Sequence, residues 1–296
     1  MLIPPRRLVL SGGGMRAVAH IGALQILETK GLLEHIKEYV GVSAGAFLAL
    51  CLTIGFTLKE LTSIIKKFDF QLIRNITPET MLNFPTDFGI DNGENLLTLL
   101  HSILRIKGYG PETTFEDLPK KVAFRCYATD IYRCTFREFS LAKTPSCKIT
   151  TALRASMCLP AYFTPIEDPE TGHLLIDGGV MNNYPLSFLS QQEQQEALGL
   201  AFTYEHTNVH HIPDIGAFFY QIFACYYMPR SRTSQHLFQH NTIWIPCGEY
   251  PAWDFEGSPE DRQRLISLGE KAAQDYLKNA REIFRGKAPS RRFSAS

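Results

Sequence analysis

The chain has 296 residues and 45% apolar residues, enough for a large domain with a full core. Its 30 Lys and Arg balance its 30 Asp and Glu, which argues against a broad basic face and a nucleic-acid partner. Its 7 cysteines are scattered, odd in number and never spaced C-x-x-C, which argues against a disulfide framework or zinc site and fits reduced thiols in a cytoplasmic protein. The segment Met1 to Arg7 offers no secretory apolar region of the usual length. Residues 7–11 predict a strand, followed by a helix over 14–30 that Gly31 stops. A second strand over 38–42 leads into a helix over 44–55. The apolar run from Ala44 to Leu58 is too short to span a bilayer, so this helix is expected in the core and no transmembrane segment is expected.

Helices are expected over 58–68 and, after the breakers Pro85, Gly89 and Gly93, over 92–107. Residues 122–129 read as a strand, with 133–140 alternating as its partner. A short helix over 150–155 and strands at 174–177 and 197–202 follow. Residues 215–228 carry Ile215, Phe218, Phe219, Ile222, Cys225 and Tyr226 at helical spacing, broadened by Tyr220, Phe223 and Tyr227. That stripe is expected in the core, with a lipid-facing element as the alternative. A final helix over 259–284 starts at Ser258-Pro259-Glu260-Asp261, a good capping sequence. Alternating strands and helices predict a three-layer α/β fold with a mostly parallel central sheet and helices on both faces. One domain is expected over 1–286, with 287–296 as a disordered basic tail.

Three segments carry chemistry. In Gly41-Val42-Ser43-Ala44-Gly45 a strand turns sharply into a helix. Glycines there permit the strain and close packing that expose a serine hydroxyl, and the helix aims free N–H groups at the same place. Ser11-Gly12-Gly13-Gly14-Met15-Arg16 follows an apolar strand, and adjacent glycines can turn their N–H groups into a nest for negative charge. In Leu174-Leu175-Ile176-Asp177-Gly178-Gly179 a strand ends in a carboxylate. Nucleophile, anion hole and base are the parts of acyl transfer through a tetrahedral oxyanion. The glycine segment also fits G-x-G-x-x-A, the dinucleotide fingerprint. That fold wants an acidic residue at the end of its second strand, where this chain has Val42 and Ser43.

In this order the three motifs resemble those of the patatin-like phospholipases. Ala152-Leu153-Arg154-Ala155-Ser156-Met157-Cys158-Leu159-Pro160 is similar to the family's R-A-S-x-x-x-P segment, and Ala128-Thr129-Asp130 to its central-strand A-T-D. The resemblance covers about residues 7–204. It departs at Ala17, where the family usually has Gly, and at Val42, where Thr is common. It implies Ser43 as nucleophile, Asp177 as its dyad partner and Gly12, Gly13 and Gly14 as the oxyanion loop, with the Ala44 N–H as a further donor. The implied activity is cleavage of glycerolipid acyl esters without histidine. Alternatives are acyl transfer by the same dyad, and a lipid-binding or regulatory protein with little turnover.

The lipid substrate is expected at a membrane or micelle surface, and the protein in the cytoplasm or peripheral on membranes. Arg16 is either a solvated arginine at a helix start or a contact for a substrate anion. Asp130 and His20 are expected to have structural roles. No metal is expected, since His210-His211 lack a third ligand at suggestive spacing and no calcium loop is present. No cofactor is implied.

Overall fold

The computed structural model describes residues 4–203, 211–212, 215–247, 250 and 257–284. The expected tail at 287–296 and His210 lie outside the described residues, as do the side chains of Tyr220, Phe223 and Tyr227.

Ten strands are present among the described residues: β1 (Arg7–Leu10), β2 (Glu38–Val42), β3 (Gly89–Asp91), β4 (Ala123–Asp130), β5 (Thr135–Ser140), β6 (Ala161–Phe163), β7 (Ile166–Glu167), β8 (Leu174–Asp177), β9 (Ala197–Phe202) and β10 (Thr242–Ile245). Eight form the main sheet in the order β10-β9-β1-β2-β4-β8-β7, with β5 also pairing β4. Neighbours from β10 to β4 run parallel, while β5 and β8 run antiparallel to β4. Helices flank this sheet, as the alternation of elements predicts. Leu8, Val9 and Leu10 of β1 are wholly buried, the pattern of a parallel strand covered on both faces.

β3, β6, β7 and β10 were not legible in the sequence. They are 2 to 4 residues long, too short to show a period. β3 and β6 form a separate parallel pair.

The helix Val18–Thr29 crosses the helix Pro259–Phe284 at close range. A side chain on Gly22 would press into the Ile266 carbonyl, and one on Gly269 into the Ala19 carbonyl, so glycine on each helix lets the backbones touch. The second helix starts as its sequence predicts. Asp261 N–H donates to Ser258 Oγ at 3.1 Å, and Ser258 N–H to the Asp261 carboxylate at 3.0 Å.

The stretch 215–228 corrects an expectation. It lies in one helix, Ile215–Leu237, and among its described side chains Ala217, Ala224, Ser231 and Ser234 are buried. Ile215, Phe218, Ile222 and Tyr226, expected in the core, are exposed at 49%, 47%, 54% and 44%. These four side chains face outward instead of packing into the core.

Candidate active site

The elbow is built by β2 and the helix Ala44–Thr53 that follows it. Between them Ser43 sits at φ 54° and ψ −130°, a conformation that L-residues rarely adopt. Such a residue stores roughly 1–3 kcal/mol of strain and persists only where its surroundings hold it. Two glycines make that possible. A side chain on Gly41 would enter the backbone of Gly45 and Ala46, and one on Gly45 would enter the carbonyls of Leu10 and Ser11. Hydrogen bonds fix the rest. Ser43 N–H donates to Ser156 Oγ at 3.0 Å, and the Ser43 carbonyl accepts from Ala46 N–H at 2.9 Å. Ala44 opens the helix, so its N–H has no partner within it.

Asp177 reaches Ser43 through the sheet register. β5 pairs with β4 along Arg125 to Asp130, occupying one edge. The other edge is shared. β2 covers it up to the pair Val42–Tyr127, and β8 takes over at the very next residue with the pair Asp177–Ala128. The residue after Val42 is therefore delivered beside Asp177. The Ser43 hydroxyl comes close enough to the Asp177 carboxylate to stabilise its charge.

The carboxylate is only 3% exposed, and burial pushes its pKa up to about 7. The nearby Ser43 hydroxyl and the Gly179 N–H, which donates at 2.7 Å, oppose that rise. Asp177 N–H donates to the Cys158 carbonyl at 2.7 Å, and Thr129 Oγ1 donates to the Asp177 carbonyl at 2.9 Å. The turn from Ser156 to Cys158 thus braces both members of the pair.

The glycine loop passes over the elbow. An ideal Cβ on Gly12 would stand 3.1 Å from Ser43 Cβ and would collide with the Asn183 side chain. Asn183 grips Gly12 twice: its carbonyl accepts Gly12 N–H at 2.9 Å, and its Nδ2 donates to the Gly12 carbonyl at 2.9 Å. Gly12 N–H is therefore engaged with protein in this structure. Gly13 and Gly14, the latter at φ 53°, precede the next turn, and no acceptor for their N–H groups is present among the described residues. Of the three expected loop donors, these two are open.

Arg16 is not the solvated arginine that was one expectation: it is buried, and its Nε donates to the Tyr250 carbonyl at 2.7 Å. His20 is a prop. Its Nε2 lies 3.1 Å from the Ser11 carbonyl and its ring stacks on Phe202 at 4.5 Å. Burial lowers its pKa to about 4, so it is neutral and donates that hydrogen bond. Asp130 accepts from Tyr132 N–H, Arg133 N–H and His173 Nδ1, a structural role at the strand end. Arg154 is buried, its Nη2 donating to the Asn92 carbonyl at 3.2 Å. Among the described residues no three His, Cys, Asp or Glu gather where a metal could sit.

Ser156, Asn183 and Thr129 escaped sequence reasoning as site residues. The only signal was their place inside segments quoted for resemblance, and nothing in residue type says which backbone atom a hydroxyl or amide will meet.

The family model for patatin-like phospholipase matches residues 8–189. The uncharacterised protein YqhO of Bacillus subtilis is 28% identical over 91% of this chain and 97% of its own length. A probable lipid hydrolase, 463L, of invertebrate iridescent virus 6 is 31% identical over 61% of this chain and 62% of its length. The neuropathy target esterase sws of Drosophila grimshawi is 29% identical over 60% of this chain, which spans only 11% of that protein. Among solved structures, VipD from Legionella pneumophila superposes over 93% of this chain and 67% of its own with TM-score 0.58 and 18% identity. The type III effector ExoU superposes over 93% of this chain and 53% of its own with TM-score 0.52 and 21% identity, so these two speak to the fold.

Proposed function

The chain belongs to the patatin-like phospholipase family, and on that premise we propose that it is a carboxylic ester hydrolase that cleaves glycerolipid acyl esters through Ser43 and Asp177. The observation that carries this reading is the strand register that delivers Ser43 beside Asp177, a buried carboxylate whose pKa is raised to about 7. A carboxylate in the ordinary range is a poor base toward a hydroxyl. Raised toward neutrality, it accepts the proton more readily and returns it as an acid.

Ser43 Oγ attacks the ester carbonyl carbon while its proton passes to Asp177. The carbonyl π-electrons move to oxygen, and the oxyanion forms beside the N–H groups of Gly13, Gly14 and Ala44. Each such donor is worth roughly 3–4 kcal/mol to the barrier. Collapse breaks the bond to the alcohol, which leaves with the proton from Asp177. Water then gives a proton to Asp177 and attacks the acyl-enzyme. A second oxyanion collapses, Ser43 recovers its proton and the fatty acid departs. Neutral, buried His20 takes no part.

The test is labelling with a fluorophosphonate and mapping of the modified residue. Labelling at Ser43, lost together with esterase activity in Ser43→Ala, is expected. Labelling elsewhere, or an active Ser43→Ala protein, would overturn the assignment.

A further inference from the structure

We propose that the outward stripe of the helix Ile215–Leu237, together with the tips of Met81, Leu82 and Phe88, is a docking face for an anionic phospholipid surface. This rests on the lipid-ester reading above and names where the substrate's surface meets the protein. Ile215, Phe218, Ile222 and Tyr226 recur at helical spacing and are 44% to 54% exposed. Four bulky apolar residues on the solvent side of a helix are the reverse of the polar outer face of an ordinary surface helix.

Three further observations point to lipid. First, a second element joins the same face. Phe84 stacks on Phe219 at 5.8 Å, and beside Phe84 the side chains of Met81, Leu82 and Phe88 are 52%, 80% and 55% exposed. Second, the charge along this helix is one-sided, although Glu79 and Asp87 stand exposed on the neighbouring element. The 23 residues of the helix include no Asp or Glu. Arg230, one turn beyond Tyr226, lies over its ring at 3.9 Å, and Arg232 follows. An aromatic body capped by an arginine suits the boundary between acyl chains and phosphates. Third, the face adjoins the site. The helix packs against Gly179–Asn182, the turn directly after Asp177, and against β6. A lipid surface on the outward side is separated from that turn by the width of one helix.

The test uses the full chain carrying Ser43→Ala, so that binding is read without turnover. Sedimentation with vesicles of phosphatidylcholine, with and without phosphatidylglycerol, should show binding that the anionic lipid strengthens. Phe218→Glu, Ile222→Glu and Leu82→Glu should each weaken it on the order of tenfold, because each puts a carboxylate into the apolar contact. In the otherwise native chain the same variants should keep their melting temperature and their hydrolysis of a short soluble ester. Leu82→Glu guards against misfolding, since that side chain is 80% exposed.

Absence of vesicle binding, or undiminished binding by Leu82→Glu, overturns the proposal. So does binding that the glutamates leave intact while they convert a dimer into a monomer, which would assign the face to a second copy of this chain. Failure of the native chain to cleave the soluble ester would count against the catalytic reading, and the vesicle result would still decide the docking face.

Discussion

Ser156 Oγ lies 3.0 Å from the Ser43 nitrogen and accepts its N–H. The proposed nucleophile is thus held by its own backbone as well as by the strand and helix around it. Two residues further on, the Cys158 carbonyl holds the Asp177 N–H. One turn of chain sets the distance between the reacting groups.

Ser156→Ala should therefore reduce kcat on a soluble ester with little change in KM. A buried N–H left without an acceptor costs roughly 1–3 kcal/mol. Small displacements of a reacting group cost as much as about 100-fold in rate. The rate of fluorophosphonate labelling should fall with kcat. Wild-type labelling at unchanged melting temperature would show that the hydroxyl does not position Ser43.

The rate should rise with pH and level off above about 7, because Asp177 acts as its carboxylate and burial holds its pKa there. Asp177→Asn should lose about 10²–10⁴-fold in kcat at the plateau. A flat profile from about pH 5 to 8, measured with a soluble ester, would contradict this.

The same raised pKa has a cost in stability. Between the ordinary carboxylate range and about 7, folded Asp177 holds a proton that the unfolded chain has lost. Stability from this group is complete at low pH and is lost as pH rises through that window. Asn carries no such loss, so the melting temperature of Asp177→Asn should gain on the parent between about pH 4 and pH 8. A gap that narrows over that range would refute the assignment of the raised pKa.

Asn183→Ala removes the amide that holds the Gly12 carbonyl but leaves the backbone bond to Gly12 N–H. The loop should loosen and present Gly13 and Gly14 less well. A fall in kcat of roughly tenfold or more is expected with KM little changed, since removing an oxyanion donor outright costs about 10²–10³-fold. Steady-state kinetics alongside thermal unfolding would check it.

Gly22→Leu should destabilise the whole chain and spare no activity selectively, because the added atoms enter the Ile266 carbonyl. Overpacking costs roughly 1–3 kcal/mol, and more where backbone must move. Thermal unfolding of Gly22→Leu beside Gly22→Ala gives the graded series.

The elbow, the glycine loop and the strand-end aspartate were legible in the sequence because each is local. A glycine on either side of a serine, or a carboxylate ending an apolar strand, states its own backbone demands. The alternation of elements likewise announced an α/β sheet, and Ser258 with Asp261 announced a helix start. What brings Ser43 to Asp177 is not local. It is the edge of β4 that β2 and β8 share, changing hands between Tyr127 and Ala128. Pairing across a sheet depends on which strands compete for an edge, and no residue type encodes that. The engagement of Gly12 by Asn183, the bracing by Ser156 and the burial of Arg16 are of the same kind. The stripe at Ile215 to Tyr226 shows the limit most plainly. Periodicity finds that apolar residues share one face of a helix, but only packing decides which face turns inward, and here Ile215, Phe218, Ile222 and Tyr226 turned outward.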